Sequence, residues 1–187
     1  MEKTTPRRTF LSKTFMASAG LALASSTSLV NAFSSNNSPF KGYNPFAEYK
    51  TDLRTSLVGK HVQVKGHIFD ATGKNFLPNA KLEVWHLSPD SKKFEHRAIL
   101  QTDSDGSYQF ITDYPEREIG KMPRIYFRIS KDSNSYFTEL SFNDQGAFIS
   151  GKHWEENHQL GDKLLFPTHT NFLNQSTFQF NIVLNNH

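Results

Sequence analysis

Apolar and polar side chains alternate with a period of two along most of the chain from residue 60 onward. In the clearest case, Phe178, Phe180, Ile182 and Leu184 share one face while Gln179 and Asn181 lie on the other. Such alternation is typical of half-buried strands. Further strands are predicted at residues 62–68, 81–87, 107–111, 124–130 and 136–142. Because turn signals separate these short segments, the chain is predicted to be all-β, an antiparallel β-sandwich.

Less regular segments flank the strands. Residues 33–56 are predicted to form a linker or a strap, since a polar, turn-rich stretch is followed by aromatic residues suited to packing on the domain. The sandwich domain is assigned to residues 57–187. Within it, residues 143–174 are irregular, and residues 154–160 are predicted to form a helical turn.

The first 32 residues have the features of an export signal. Arg7 and Arg8 form a twin-arginine pattern, a mildly apolar run spans residues 15–30, and Ala32 offers a small residue before a cleavage point. Polar residues interrupt the run too often for a stable membrane span. We therefore predict twin-arginine export, a periplasmic or otherwise extracytoplasmic location, and no membrane association after cleavage. A general secretion signal or a retained anchor is the alternative.

Charge and cysteine content exclude several functions. The whole chain has 21 basic and 18 acidic residues, but the predicted signal holds four of the basic residues and one acidic residue, which leaves 17 of each. A neutral mature protein gives no reason to expect nucleic-acid binding. There is no Cys, so disulfides, zinc–thiolate sites and iron–sulfur clusters are excluded.

Five segments, in order, resemble the intradiol ring-cleavage dioxygenases. Residues 82–86 are similar to that family's Val-Glu-Ile-Trp-Gln segment, and residues 102–110 to its Thr-Asp-x-x-Gly-x-Tyr-x-Phe hairpin. The other similar segments are residues 66–80, 136–142 and 180–184. The resemblance covers roughly residues 60–184 and implies the prealbumin-like sandwich of that family.

The resemblance also implies where the family's metal ligands would lie. In that family two tyrosinates and two histidines hold iron(III), which activates a catecholate toward O₂. Here the tyrosine positions are occupied by Phe94 and Glu118, and the histidine positions by Arg124 and Tyr126. Phenylalanine has no donor atom and a guanidinium stays protonated, whereas ferric iron prefers anionic oxygen and neutral imidazole. The sequence therefore predicts no metal and no cofactor.

The replaced positions suggest two competing uses of one pocket. Arg124 and Tyr126 are two residues apart, so a strand places both on one face. Arg124 either pairs with Glu118 or Glu139, taking the electrostatic place of a metal, or grips a small carboxylate together with Lys121 and Tyr126. Lys121 and Glu139 occupy the positions of the family's active-site arginine and glutamine. Drift in a disused pocket is the third explanation.

Histidines offer a relocated metal site as an alternative. His86 and His96 flank the presumed cavity, and with Glu118 or Glu139 they could form a two-histidine, one-carboxylate site. Ordinary hydrogen-bonded histidines are the simpler explanation. The spacing of His153 and His158 does not suit ligation on one helical face.

The sequence thus predicts an exported, iron-free protein that resembles the intradiol dioxygenases and binds a small molecule or a partner through the remodelled pocket and its flanking loops. The enzymatic alternative is a non-haem iron(III) dioxygenase that cleaves a catechol-type ring. A structural module similar to transthyretin-like domains is a third possibility. A homo-oligomer is compatible with all three.

Overall fold

A computed structural model describes residues 38–171 and 174–185 of the chain, without the side chains of residues 167–171. The predicted export signal and the start of the linker lie outside these residues. Within the described part, no helix has the length and apolar character needed to cross a bilayer.

The described residues form ten strands and two short helices. The strands are β1 (His61–Phe69), β2 (Lys81–His86), β3 (His96–Gln101), β4 (Ser107–Asp113), β5 (Arg124–Lys131), β6 (Asn134–Asn143), β7 (Gly146–Ile149), β8 (Leu165–Asn171), β9 (Gln175–Phe180) and β10 (Ile182–Val183). Between β7 and β8 lie an α-helix, α1 (Gly151–Asn157), and a 3₁₀ helix (His158–Lys163).

The strands pair into two five-stranded sheets, which confirms the predicted all-β sandwich. The first sheet contains β4, β1, β9, β10 and β8, and the second has the order β3-β2-β5-β6-β7. All strand pairings are antiparallel, including that of β1 with β4, except that β1 runs parallel to β9 and then to β10. Asn181 separates β9 from β10, and Gly66 of β1 packs against this break so closely that a Cβ would lie 1.9 Å from the Phe180 carbonyl oxygen.

The core lies between the inner faces of the two sheets. Fully buried aromatic rings from both sheets meet there, with Phe127 of β5 packed edge-on against Phe180 of β9 at 5.3 Å. Strand β5 shows how alternation divides its side chains. Ile125, Phe127 and Ile129 enter the core, so Arg124, Tyr126 and Arg128 face outward.

The predicted helical turn at residues 154–160 is part of a longer helical segment that begins at Gly151. Ser150 caps α1 by accepting a hydrogen bond from the His153 backbone N–H at 3.1 Å. The His153 ring is fully buried, packs against the Phe180 ring in a tilted arrangement with centroids 4.9 Å apart, and hydrogen-bonds to Thr138 Oγ1 through Nδ1 at 2.6 Å. Burial lowers the pKa of His153 to about 4, so this side chain is neutral at pH 7.

Candidate functional site

The outer face of the second sheet holds Arg124, Tyr126 and Glu139, three of the residues that the sequence assigned to the pocket. Strand register places Tyr126 of β5 between Trp85 of β2 and Glu139 of β6. Arg124 precedes Tyr126 by two residues on the same face, as predicted. The sheet therefore aligns an aromatic pair, an arginine and a carboxylate within neighbouring strands.

Arg124 forms an ion pair with Glu139. Arg124 Nη1 lies 2.8 Å from Glu139 Oε2, and the two side chains keep only 16% and 17% of their area exposed. Arg124 Nε also donates to the carbonyl of Met122 at 3.2 Å. One of the two predicted pairings of Arg124 is thus confirmed, and its guanidinium is committed to protein partners.

Glu118 contacts both Tyr126 and Lys121, and with the Arg124–Glu139 pair these residues form one polar cluster on the outer face. The Tyr126 hydroxyl donates a short hydrogen bond to Glu118, and Lys121 Nζ lies 3.3 Å from the same carboxylate oxygen. Burial, together with the hydrogen bond to Glu118, raises the pKa of Tyr126 far above its usual value. Burial alone would raise the pKa of Glu118, but hydrogen bonds from Tyr126 and Lys121 lower it below its usual value. Tyr126 therefore stays a phenol and Glu118 a carboxylate.

A strap of residues 38–56 covers this face. Phe40 stacks on the ring of Tyr126 with centroids 4.7 Å apart, and Phe94 approaches the same ring at 6.3 Å. Trp85 Nε1 donates to the carbonyl of Lys41 at 2.9 Å. Gly42 adopts φ +76° where a Cβ would lie 2.1 Å from the Phe94 ring, so the backbone of the strap touches the Phe94 side chain directly.

A second polar contact and a backbone ladder fix the strap farther along the sheet. Arg128 Nη1 donates to the Tyr43 hydroxyl at 2.8 Å and to Glu83 at 2.9 Å, and Tyr43 donates to Glu83 at 3.2 Å. The Ile99 backbone N–H donates to the carbonyl of Glu48 at 2.8 Å. The described part of the segment 33–56 is therefore packed onto the sandwich along its length.

His86 and His96 do not belong to this cluster. Trp85 faces outward, so its neighbour His86 faces inward, and register pairs His86 directly with His96 on the inner side of the sheet. The alternative metal site that would combine these histidines with Glu118 or Glu139 is wrong, because the sheet itself separates the two groups. The simpler explanation from the sequence, hydrogen-bonded histidines, is confirmed.

The two histidines instead form a buried hydrogen-bonded cluster. His86 bonds to the Leu87 carbonyl at 2.9 Å and to Thr112 Oγ1 at 2.7 Å, and burial lowers its pKa to about 3. Ser88 Oγ lies 2.6 Å from His96 Nδ1, and Asp113 Oδ2 lies 2.9 Å from His96 Nε2.

Ser88, His96 and Asp113 thus form a chain of the residue types found in hydrolytic triads, which the sequence alone did not reveal. Ser88 is only 2% exposed and His96 4% exposed, so neither is open to a substrate. Asp113 also accepts hydrogen bonds from the backbone and the hydroxyl of Thr55, at 2.8 and 2.6 Å. Burial alone would raise the pKa of Asp113, but the bonds from Thr55 and His96 lower it. The cluster ties the end of the strap to β3 and β4.

The residues at the family's ligand positions do not fit iron(III). A cationic guanidinium repels a metal ion, Phe94 offers no donor, and Tyr126 is held as a phenol by Glu118. No group of three or more His, Cys, Asp or Glu side chains among the described residues could hold a metal ion.

Three clefts open at the surface away from Arg124 and Tyr126. One of about 530 Å³ lies between the strap, β3 and β4, and one of about 400 Å³ lies beside Asp113. The third, of about 700 Å³, lies over β1 and β9 beside the 3₁₀ helix. Neither Arg124 nor Tyr126 lines any of these three.

Several solved structures of dioxygenases are similar to this chain. The chain is similar to the dioxygenase domain of a dioxygenase and carbohydrate-binding protein fusion from Streptomyces sp. SirexAA-E, with 20% identity, 78% of this chain and 95% of that chain covered, and a TM-score of 0.58. It is similar to an intradiol ring-cleavage dioxygenase from Tetranychus urticae (15% identity, 76% and 89% covered, TM-score 0.57). It is also similar to chlorocatechol 1,2-dioxygenase from Pseudomonas putida (17% identity, 79% and 70% covered, TM-score 0.56).

Sequence comparisons add no closer relationship. No protein-family model matches the chain, and no curated protein matches it. Identities of 15 to 20% establish a shared fold and no more. The chain therefore has the fold of the intradiol ring-cleavage dioxygenases.

Proposed function

We propose that this protein is an exported binding protein that uses the intradiol dioxygenase fold without iron and without ring cleavage. The observation that carries the proposal is the Arg124–Glu139 ion pair at 2.8 Å, on the strand where the resemblance places the family's histidines. A fixed guanidinium there supplies the positive charge that a metal ion would otherwise supply to nearby carboxylates.

The charges of this cluster balance without a further ion. Arg124 and Lys121 carry two positive charges, and their partners Glu139 and Glu118 carry two negative charges. A ferric ion would place three further positive charges beside Arg124 and Lys121, whose carboxylate partners are already paired. A carboxylate ligand would compete with Glu139 for Arg124. Both costs favour a cluster that stabilises the strap over one that binds a metal or a substrate.

Binding is therefore proposed at the open surface rather than beneath the strap. Phe40 and Phe94 pack on the Tyr126 ring, and the Lys41 backbone carbonyl accepts a hydrogen bond from Trp85 Nε1, so a ligand could reach this face only after the strap moved. The clefts at the strap edge, beside Asp113 and over β1 remain open to solvent. Either a small molecule or a partner protein is compatible with these clefts.

Export is the second part of the proposal. Arg7 and Arg8 precede an apolar run and a small-residue exit, the pattern of twin-arginine signals. Replacing both with lysine should leave the chain unprocessed in the cytoplasm, as followed by fractionation and the mass of the mature N-terminus. Processing and export at the normal level in that variant would remove the twin-arginine assignment.

Metal analysis of the exported, untagged protein tests the central claim. Protein purified without chelators, and again after incubation with iron(III) and dialysis, should contain well below one equivalent of iron. It should show no tyrosinate-to-iron charge-transfer absorption and consume no O₂ with catechol. Stoichiometric iron together with catechol-dependent O₂ uptake would establish the rival function, which the names of the structural neighbours favour.

A further inference from the structure

We propose that the groove over β1 and β9 is a binding site for a carboxylate attached to a ring that presents an apolar face. The proposal rests on the binding function proposed above and gives it a place and a ligand class. The groove has a volume of about 700 Å³ and lies between the outer face of β1, the turn at residues 70–76 and the 3₁₀ helix. Phe76 supplies the surface for the ring, and Lys74 and Lys163 supply the charges for the carboxylate.

The aromatic surface is held in place from behind. Phe76 stacks on His67 with centroids 4.7 Å apart and an interplanar angle of 30°, and it contacts Phe69 at 5.1 Å. Even so, 50% of Phe76 is exposed. A large ring that is packed on one side and open on the other favours a ligand with a flat apolar face.

The charge of this groove distinguishes it from the other two clefts. Lys74 and Lys163 are exposed and form no ion pair with any residue of the described part of the chain. No Asp or Glu lines the groove. Asp103 lines the cleft between the strap, β3 and β4, whereas Asp90, Asp113 and Glu116 line the cleft beside Asp113. Only the groove, among these three clefts, combines unpaired cations with an open aromatic ring.

Hydrogen bonds fix the walls of the groove relative to one another. Asn181 Nδ2 donates to the Lys163 carbonyl at 2.6 Å, and Asn181 Oδ1 accepts from the His67 backbone N–H at 2.9 Å. Gly73 packs on the helix so closely that a Cβ would lie 2.7 Å from Gln159 Cγ. The turn that carries Lys74 and the helix that carries Lys163 are therefore both anchored next to β1, which reduces the entropy lost on binding.

Two kinds of carboxylate share the required chemistry. An aromatic acid presents a planar ring, and a sugar acid presents the C–H face of a pyranose, and each carries one negative charge at the ring edge. Lysine binds such a group as a compact point charge without demanding a fixed bidentate geometry. The side-chain amides of Gln159 and Gln179 also line the groove and can bond to ring hydroxyls of either kind.

Calorimetry and NMR titration of the exported protein would test the site. Benzoate and glucuronate are the probes, and benzyl alcohol and glucose are their neutral counterparts. We expect one acid to bind at least about tenfold more tightly than its neutral counterpart. The changes in chemical shift should be centred on residues 67–76 and 159–166. Tighter binding of benzoate identifies an aromatic-acid site, and tighter binding of glucuronate identifies a sugar-acid site.

Variants of the lysines separate this site from non-specific charge effects. Lys74→Gln and Lys163→Gln should each weaken acid binding about tenfold. Lys60 is exposed and lines the cleft beside Asp113, so Lys60→Gln should leave acid binding unchanged. The inference is overturned if neither acid binds, or if both lysine variants bind as the native chain does. If the protein is free of metal and inactive on catechol, a failure of the groove to bind either acid leaves the proposed function unchanged. Bound iron would contradict the proposed function but would not contradict the groove as a binding site.

Discussion

The guanidinium of Arg124 and the carboxylate of Glu139 lie 2.8 Å apart on the neighbouring strands β5 and β6, with both side chains largely buried. A partly buried pair of this kind stabilises the folded chain mainly because each charge prevents the other from being left unpaired. The strap covers the neighbouring Tyr126, whose ring stacks on Phe40.

Removing the arginine should therefore expose this dependence. Arg124→Met leaves the Glu139 carboxylate largely buried without its partner, and we expect the free energy of unfolding to fall by about 2 kcal/mol. Urea unfolding of the purified protein measures the change. The double variant Arg124→Met, Glu139→Met should regain much of the loss because it removes both charges.

A surface arginine provides the matched control for this experiment. Arg117 is exposed and lies in the loop before β5, so Arg117→Met should change the free energy of unfolding by less than about 0.5 kcal/mol. Equal stability of the Arg124 and Arg117 variants would show that the ion pair contributes nothing to the fold.

Alternation made the arginine cluster predictable, and it also marks where the sequence-based prediction went wrong. Residues two apart in a strand share a face, which placed Arg124 beside Tyr126 correctly. By the same rule Trp85 and His86 must face opposite sides. The predicted site that joined His86 to Glu139 overlooked this consequence, and the structure places His86 on the inner side with His96.

Contacts between distant segments could not be derived from periodicity. Phe40 belongs to no regular pattern, so nothing in its surroundings specified Tyr126 as its partner. Lys74 and Lys163 are brought to one groove only by the folding of the turn and the 3₁₀ helix onto β1. Such juxtapositions depend on sheet topology, whereas strand positions depend on local alternation and turn residues.

The strap should control the environment of Trp85. In the native chain Trp85 is 2% exposed and Trp154 is 49% exposed, and the chain has no other tryptophan. In a Trp154→Phe background, Phe40→Ala should loosen the strap, shift Trp85 emission to the red and lower the free energy of unfolding by about 1 to 2 kcal/mol. Fluorescence and acrylamide quenching measure the exposure.

An exposed apolar residue serves as the control for the strap experiment. Leu57 is 76% exposed, so Leu57→Ala in the same background should leave Trp85 emission unchanged. Emission that stays the same in the Phe40 variant as well would mean that residues 38–43 do not cover the indole in solution.

Two glycines with nearly the same backbone angle can separate backbone strain from contact with Phe94. Gly42 has φ +76° and a Cβ there would lie 2.1 Å from the Phe94 ring, whereas Gly120 has φ +75° and nothing within 4 Å. Gly120→Ala should cost about 1 kcal/mol through the left-handed backbone alone. Gly42→Ala should cost clearly more and also redden Trp85 emission, because the strap must move away from Phe94. Equal costs with unchanged emission would exclude the close packing of the strap.

Buried neutral histidines should make the protein lose stability in mild acid. The pKa of His153 is lowered by burial to about 4, and that of His86 to about 3. The unfolded chain binds protons at these residues below about pH 6.5, whereas the folded chain does not until well below that value, so stability falls as the pH falls through this window. Each histidine should contribute a slope of about 1.4 kcal/mol per pH unit well below its unfolded pKa.

The His153 contribution can be isolated by a neutral replacement. In His153→Gln, the slope of the unfolding free energy against pH, measured between pH 6 and 4.5, should decrease by nearly the amount that the uptake of one proton contributes. This result is expected whatever the stability of the variant at pH 8. His158→Gln, which replaces an exposed histidine, should keep the native slope. Asp113 and Glu118 also have lowered pKa values, but their losses begin near the usual carboxyl pKa of about 4 and fall mostly below this range. If the His153 variant keeps the native slope, His153 takes up its proton over the same pH range in the folded and the unfolded chain. That result would contradict a buried, neutral His153 in the folded protein.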